Sequence, residues 1–462
     1  MSQHAPLTER KYLLPFVIVT SLFFLWSIGV NLNDVLIPHL KKTFDLSDFQ
    51  SSFIQVAFFG GYFLAAFPAG RLMEKMGYKK GILLGLLICA TGTLLFLPAA
   101  SSRTYGFFLL ALFVMSCGQS FLEVGANPYV TVLGPAESSE RRLNFAQSFN
   151  AVGAALVPTL GAAFVLSGVE YTPEQRAAMT AEQLRAYIAS ETNTVRGPYI
   201  AITALFLLVA ALIYFSHLPE AQIGEDSGHS SKKGGTLRDV LAHTHLVKGV
   251  IAQFFYVGAQ VGVASFVIRF VKFTVPQTLD RMAAWGLSWG GHNAQGLLAR
   301  LVPTSPEKMA ALFLVAHQTG FMIGRFTGAW MMKSIAASRL LATFGLCALI
   351  CTLVAIGAPG IAAVLAIVLV GFFNSIMFPT IFALSLKNLG QLTKRGSSLL
   401  IMSIIGGALI PAAMGRISDA SNIRTAFLAP LVCYAYVIYF AVWGYQPKSA
   451  VVATTQTEAT SQ

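Results

Sequence analysis

Charge is scarce in these 462 residues. Only 11% are Asp, Glu, Lys or Arg, against about 25% in an ordinary soluble domain. Together with 55% hydrophobic residues, that shortage excludes a soluble enzyme held by a single anchor. The chain reads instead as an integral membrane protein with many helices. Acidic residues are the rarer sign, 20 against 32 basic, which leaves a net charge of +12. This excess does not point to nucleic acid, because Lys and Arg fall in short segments between apolar runs, where they set topology. Cysteine is scarce too. Cys89, Cys117, Cys347, Cys351 and Cys433 all lie in apolar runs. No pair reads as a loop disulfide and no spacing fits zinc. Cys347 and Cys351 read as small packing residues on one helix. No metal or cofactor is expected. No Walker motif is present, which argues against ATP-driven pumping. A cleavable signal is also missing: the apolar run from Leu13 is far longer than a signal-peptide core.

What is present is a series of apolar runs. Twelve are expected to cross, at 13–38, 50–74, 80–100, 106–133, 144–167, 197–217, 247–272, 308–332, 339–358, 361–385, 397–417 and 425–445. Each is close to the roughly 20 residues that a helix needs to span a bilayer. Basic residues cluster in the short loops on one side, among them Arg71, Lys75, Lys79, Lys80, Arg141, Arg142, Lys333, Arg339, Lys387, Lys394 and Arg395. By the positive-inside rule that side is cytoplasmic, and both termini lie on it.

The fold class expected is therefore an all-α membrane protein of two six-helix bundles. The N-terminal bundle is 1–217, a cytoplasmic linker 218–246, the C-terminal bundle 247–448, and 449–462 a disordered tail. Gly and Ser make the linker polar and flexible. The bundles repeat each other: Pro128 matches Pro379, Glu123 matches Asn374, Gly153 matches Gly406, Pro158 matches Pro411, and Arg141-Arg142 matches Lys394-Arg395. These offsets of 251 to 253 residues share one register. Parallel repeats of this kind suit a transporter whose site lies between the halves. Of the two outer loops, 168–196 is expected to hold a short surface helix around Ala181–Tyr187. Loop 273–307, with Trp285 and Trp289 among glycines, reads as an interfacial lid or an ordinary surface insertion.

Two carboxylates lie mid-span, Asp34 in the first span and Glu123 in the fourth. An acidic residue at mid-membrane costs about 2.5–3.5 kcal/mol on insertion scales. Small residues around Glu123 would let neighbouring helices approach closely. Either carboxyl stays protonated and bonded to a neighbouring helix, or it carries protons. Asp34 lies nearer the outside and Glu123 nearer the inside, so the pair could pass a proton inward in steps. Burial disfavours the charged form of a carboxyl and brings its exchange nearer physiological pH. No cation stands mid-span beside them in the N-terminal half, which favours protonatable groups over a fixed ion pair. Asp34 could alternatively cap a helix broken at Pro38.

Gln147 and Asn150 are three apart and share a helix face. Their amides offer donors and acceptors suited to sugar hydroxyls, or to interhelical hydrogen bonds. Trp26 and Asn31, Tyr256 and Gln260, and Asn374 and Phe378 are further candidate lining groups, with packing as the alternative for each aromatic. His317 reads as packing. Arg269 and Arg325, near span ends, are expected to snorkel or to bond backbone.

The loop after the second span, GRLMEKMGYKK from Gly70 to Lys80, resembles the major facilitator superfamily signature GxLxDRxGRK. Glu74 and Lys75 stand where aspartate and arginine are usual. The resemblance implies a conformational latch built on Gly70, Glu74, Lys75, Gly77 and Lys79. Further runs are NLND at 31–34, LEVGANPYVTVLGP at 122–135, NFAQSFN at 144–150, YVGAQ at 256–260, GRFTG at 324–328 and FPTIF at 378–382. With the outer AEQLRAY segment, they resemble the fucose/glucose/galactose permease family of that superfamily, over nearly all of 12–445. The resemblance implies proton coupling at Asp34 and Glu123 and sugar binding at Gln147 and Asn150. It also implies a bacterial inner-membrane, multi-pass symporter, working as a monomer without cofactor. Its partners are a monosaccharide, a proton and the lipid bilayer. L-fucose is the first expectation for the sugar. Glucose, galactose or N-acetylglucosamine, and sodium in place of the proton, are alternatives. A sugar sensor would need a signalling domain, for which the linker and tail leave little room. A passive channel would have no use for buried carboxylates.

Overall fold

The computed structural model describes residues 5–44, 48–102, 104–165, 175, 178–194, 196–216, 218, 237–293 and 305–446. Within these, the side chains of 32–43, 48–49, 51–52, 158–165, 190–194, 287 and 289–293 lie outside the description. Helices dominate and no strand occurs among the described residues. Nine helical stretches there are long and apolar enough to cross a membrane. One of them, Phe53–Ser102, has 50 residues, more than twice the length of one crossing. Its backbone reverses at Gly77, where φ is 82° and ψ 171°. Glycine takes that left-handed φ without steric penalty, so the signature loop turns there.

In chain order the helices are α1 (Leu13–Thr43), α2 (Asp48–Leu94, containing the turn at Gly77), α3 (Phe96–Ser102), α4 (Tyr105–Val132), α5 (Ser139–Val165), α6 (Ala181–Thr194) and α7 (Arg196–Phe215). Next come α8 (Leu237–Ala242), α9 (Thr244–Thr274), α10 (Pro276–Asn293), α11 (Pro306–Met331), α12 (Ala337–Gly357), α13 (Gly360–Asn374) and α14 (Met377–Ser385). The last four are α15 (Thr393–Met402), α16 (Gly406–Ala420), α17 (Ile423–Ala426) and α18 (Leu428–Tyr439). Each of the twelve expected spans falls on one of these helices or on a consecutive pair.

Helices α5 and α11 have 27 and 26 residues. Both carry polar side chains within their apolar sequence: Asn144, Gln147 and Asn150 on α5, and His317 and Arg325 on α11. These two helices pack against each other across the two halves. Two helices with polar side chains therefore meet at the joint. Small residues set the other close contacts. A Cβ on Gly118 of α4 would lie 2.5 Å from the Cys89 backbone nitrogen, so α2 and α4 nearly touch backbone to backbone. All five cysteines are free thiols.

The expected outer helix is present as α6. Thr180 caps it reciprocally with Gln183: Gln183 N donates to Thr180 Oγ1 at 3.2 Å and Thr180 N to Gln183 Oε1 at 3.0 Å. That is the reciprocal pattern that satisfies two free helix-end donors. The 273–307 segment differs from a glycine-rich loop, because Pro276–Asn293 is helical. Leu279 and Ala283, four apart, are buried while Trp285 faces out; a one-sided apolar stripe overrode the glycines. Trp289 has its side chain outside the description. Within the expected 218–246 linker, 219–236 lie outside the described residues, and 237–242 form α8.

Candidate functional site

Glu123 is buried in α4, only 8% exposed. The Tyr62 hydroxyl on α2 donates to Glu123 Oε1 at 3.1 Å and lies 3.3 Å from Gln119 Oε1. One helical turn on, Asn127 Nδ2 donates to the Glu123 carbonyl at 3.0 Å. Its other amide atom, Oδ1, accepts from Gln147 Nε2 at 2.8 Å. Gln147 in turn accepts from Arg325 Nη1, at 3.0 Å on Oε1 and 2.6 Å on its backbone oxygen. A continuous polar chain therefore runs from Tyr62 and α4 through α5 to α11 in the other half.

Of its two expected roles, Arg325 takes one. It does bond backbone, but it does not snorkel: it is only 3% exposed, and its guanidinium lies within electrostatic reach of both Glu123 and the Tyr256 hydroxyl. Among the described residues the N-terminal half shows no cation at this level, and the C-terminal half supplies Arg325. Proline explains where Arg325 docks. Pro379 has no N–H to give to the carbonyl four residues back, Ser375. Arg325 Nε donates to that oxygen at 2.9 Å. Pro128 leaves Val124 in the same position in α4. The Val124 carbonyl accepts from Ser397 Oγ, across the halves, at 3.0 Å. Both orphaned carbonyls are thus taken up by side chains from other helices.

Three further candidates gather on the C-terminal side of Arg325. Tyr256 OH donates to the Asn374 carbonyl at 3.0 Å, and its ring lies 6.4 Å from that of Phe378. Asn374 is wholly buried. Its side-chain amide reaches no hydrogen-bond partner, although the Tyr434 hydroxyl lies close enough to interact with it. Gln260, one turn along α9 from Tyr256, is half-buried and makes no hydrogen bond among the described residues.

The first-span candidates divide. Asn31 Nδ2 is occupied within its own helix by the Ser27 carbonyl at 2.7 Å. Trp26 is buried against Phe23, ring centroids 4.4 Å apart. Asn150, half-buried, donates to the Phe23 carbonyl at 3.3 Å and so ties α5 to α1. Asp34 belongs to α1, but its side chain lies outside the described residues. His317 packs as expected, its Nδ1 3.0 Å from the Ile367 carbonyl. Arg269 is exposed, its guanidinium over the Phe266 ring at 4.1 Å.

Below this network, toward the basic loops, the halves are clamped together. Glu74 receives a two-point contact from Arg395, Nε to Oε1 at 2.6 Å and Nη2 to Oε2 at 3.0 Å. Lys394 Nζ donates to the Met73 carbonyl at 3.0 Å. Lys387 pairs with Glu140, and Asn144 Nδ2 donates to Thr380 Oγ1 at 3.0 Å. Gly70 makes the approach possible: a Cβ there would fall 2.0 Å from Ser398 Oγ and 3.0 Å from the Lys394 carbonyl. Lys79 instead caps α7, donating to the carbonyls of Tyr214 at 2.9 Å and Ser216 at 2.8 Å. A cation suits that negative helix end. Lys75 is exposed and takes no part.

Sequence reading missed Tyr62 and Gln119, which carry no motif, and the burial of Arg325 against Gln147. The available signal for Arg325 was the GRFTG run, because two glycines flanking a cation allow close packing around it.

A family model described as Major Facilitator Superfamily matches residues 19–402. An L-fucose-proton symporter of Escherichia coli (strain K12) is 40% identical over 439 residues, covering 94% of this chain and 93% of that protein. A glucose/galactose transporter of Brucella abortus is 37% identical, with 95% of each chain covered. A crystal structure of a Major Facilitator Superfamily transporter in the outward conformation superposes with a TM-score of 0.81 at 40% identity, over 95% of this chain and 100% of that one. With a fold and a sequence alike along nearly their whole length, the chain belongs to the major facilitator superfamily, among the fucose and glucose/galactose transporters.

Proposed function

We propose that this chain is a secondary active transporter that carries a monosaccharide and a proton inward together by alternating access. The observation that carries the reading is the chain of bonds from Glu123 through Asn127 and Gln147 to Arg325. It ties a protonatable carboxyl, an amide suited to sugar hydroxyls and a cation from the opposite half into one unit. Sugar hydroxyls compete with Arg325 and Asn127 for the Gln147 amide. Protonation of Glu123 removes the charge that Arg325 faces. Either event changes the relative stability of the two conformations, which is the requirement for coupling.

In this reading Asp34 and Glu123 are the proton groups. Gln147, Asn150, Asn31 and Trp26 face Tyr256, Gln260, Asn374 and Phe378 across the sugar. The Glu74–Arg395 pair latches the halves on the cytoplasmic side, with Gly70, Lys75, Gly77 and Lys79 forming the rest of that loop. The bundles are 1–217 and 247–448, joined by 218–246. Both termini lie in the cytoplasm of a bacterium whose inner membrane holds the protein as a monomer. The names of the relatives support L-fucose first, and glucose or galactose second.

Reconstituted vesicles test the reading. Labelled L-fucose should accumulate against its gradient when a proton gradient is imposed, and adding sugar should alkalinise the medium. Absence of both would end the symport reading. A panel of unlabelled sugars competing against labelled L-fucose, with and without sodium, ranks the substrates and identifies the coupling ion.

A further inference from the structure

The end of the molecule that carries the basic loops holds a crevice of about 350 Å³ between α5 of one half and α11 of the other. Among the described residues its polar walls are two cations, Arg141 at the start of α5 and Lys333 just beyond α11, and no carboxylate lines it. Of the acids at this end, Glu140 pairs with Lys387, Glu74 with Arg395 and Glu9 with Lys11, and the exposed Glu137 makes no ion pair with either cation of the crevice among the described residues. Arg141 gives one bond to the Ala5 carbonyl at 3.1 Å, and neither cation pairs with a carboxylate among the described residues. Phe326, Trp330 and Lys333 follow at four- and three-residue spacing, so they form one stripe along the helix. Phe326 and Trp330 are 38% and 66% exposed. Phe145 of α5 closes the apolar side.

This is an amphiphile's site: an apolar track along a membrane-spanning helix, ending at two cations with no carboxylate partner among the described residues, at the level where Trp marks the membrane surface. We propose that the crevice binds one anionic phospholipid, its acyl chain along Phe326 and Trp330 and its phosphate between Arg141 and Lys333. Basic pockets between helices on the cytoplasmic side suit such headgroups. Because its walls come from opposite halves, the lipid bridges the joint and favours the state closed at this end. The inference rests on the membrane reading, not on the identity of the sugar.

Native mass spectrometry of the full chain, titrated with phosphatidylglycerol or phosphatidylcholine, tests it. Wild type should retain one phosphatidylglycerol at concentrations where phosphatidylcholine is lost. The Arg141→Gln/Lys333→Gln pair should weaken that binding at least about tenfold, the equivalent of about 1.4 kcal/mol. Arg141→Lys, with charge kept, should bind as wild type and so separates lost charge from misfolding. Lys80→Gln and Arg339→Gln, basic residues of the same end outside the crevice, should leave binding unchanged. Phosphatidylglycerol with brominated chains should quench wild-type fluorescence more than that of Trp330→Phe. Wild-type affinity in the double variant, or equal retention of phosphatidylcholine, would overturn the proposal. Displacement by millimolar inorganic phosphate would overturn it too, by revealing a free-anion site.

Discussion

The two halves share a frame and differ in chemistry. Gly153 and Gly406 hold equivalent places, and each lets the fifth helix of its half press on the first. A Cβ would fall 1.6 Å from Ser27 Oγ in one case and 2.1 Å from the Phe254 carbonyl in the other. Pro128 and Pro379 each free a carbonyl, at Val124 and Ser375. One residue before those carbonyls stand Glu123 and Asn374, both buried. There the likeness ends: the N-terminal half carries the carboxylate and the C-terminal half the guanidinium. Duplication of a frame thus provides two equivalent positions, and divergence at one of them lets charge act across the joint.

The strongest way to break the comparison is to make the halves alike. Glu123→Gln should abolish pH-dependent accumulation, by roughly 100-fold or more as expected for a lost proton-transfer group, while sugar exchange between vesicle faces persists. Normal proton-driven accumulation in this variant would refute the assignment. Asn374→Asp added to that background should not restore coupling, because the carboxylate would stand in the half that already carries the cation.

Arg325→Lys comes next. Lysine keeps the charge but cannot fork between Ser375 and Gln147. Sugar affinity should change by about tenfold, the scale of one charge-assisted hydrogen bond of about 1.5–3 kcal/mol. Equilibrium binding measured by calorimetry gives the answer; an unchanged constant would leave Arg325 a packing cation. Comparable in size is Glu74→Gln, which weakens the clamp with Arg395 while Gly70 still permits contact. Loss of about 1–2 kcal/mol shifts the conformational population roughly five- to thirtyfold. Spin-label distances between the halves on the basic-loop side should lengthen, and a Glu74→Arg/Arg395→Glu exchange should restore them. The least effect is expected for Ser397→Ala, which frees the Val124 carbonyl at about 1 kcal/mol. A thermal-melting series should show it milder than Arg325→Ala, whose loss frees Ser375 and also removes a charge.

Much of the frame was legible in the chain. Apolar runs gave the spans, because each must satisfy its own backbone in hydrocarbon and can do so only as a helix. The signature loop marked the break between the second and third spans, and Glu74 within it supplied the clamp's acid. The register of Pro128 with Pro379 was visible as well. The base that Glu74 meets was not, since Arg395 is 321 residues away. Nor was the bond that occupies Asn31, which stays within its own helix, or the reach of Asn150 to Phe23.

The sequence by itself determined that the chain crosses a membrane many times, that its halves repeat, and that one buried glutamate interrupts the fourth span. These follow from composition, periodicity and hydration cost, all local quantities. Only the tertiary structure decided that Arg325, close to a span end in the linear order, lies buried against Gln147 of the opposite half. A side chain's place along one helix gives its depth. Which neighbour it faces depends on how the two bundles turn toward each other, and no single stretch of residues contains that.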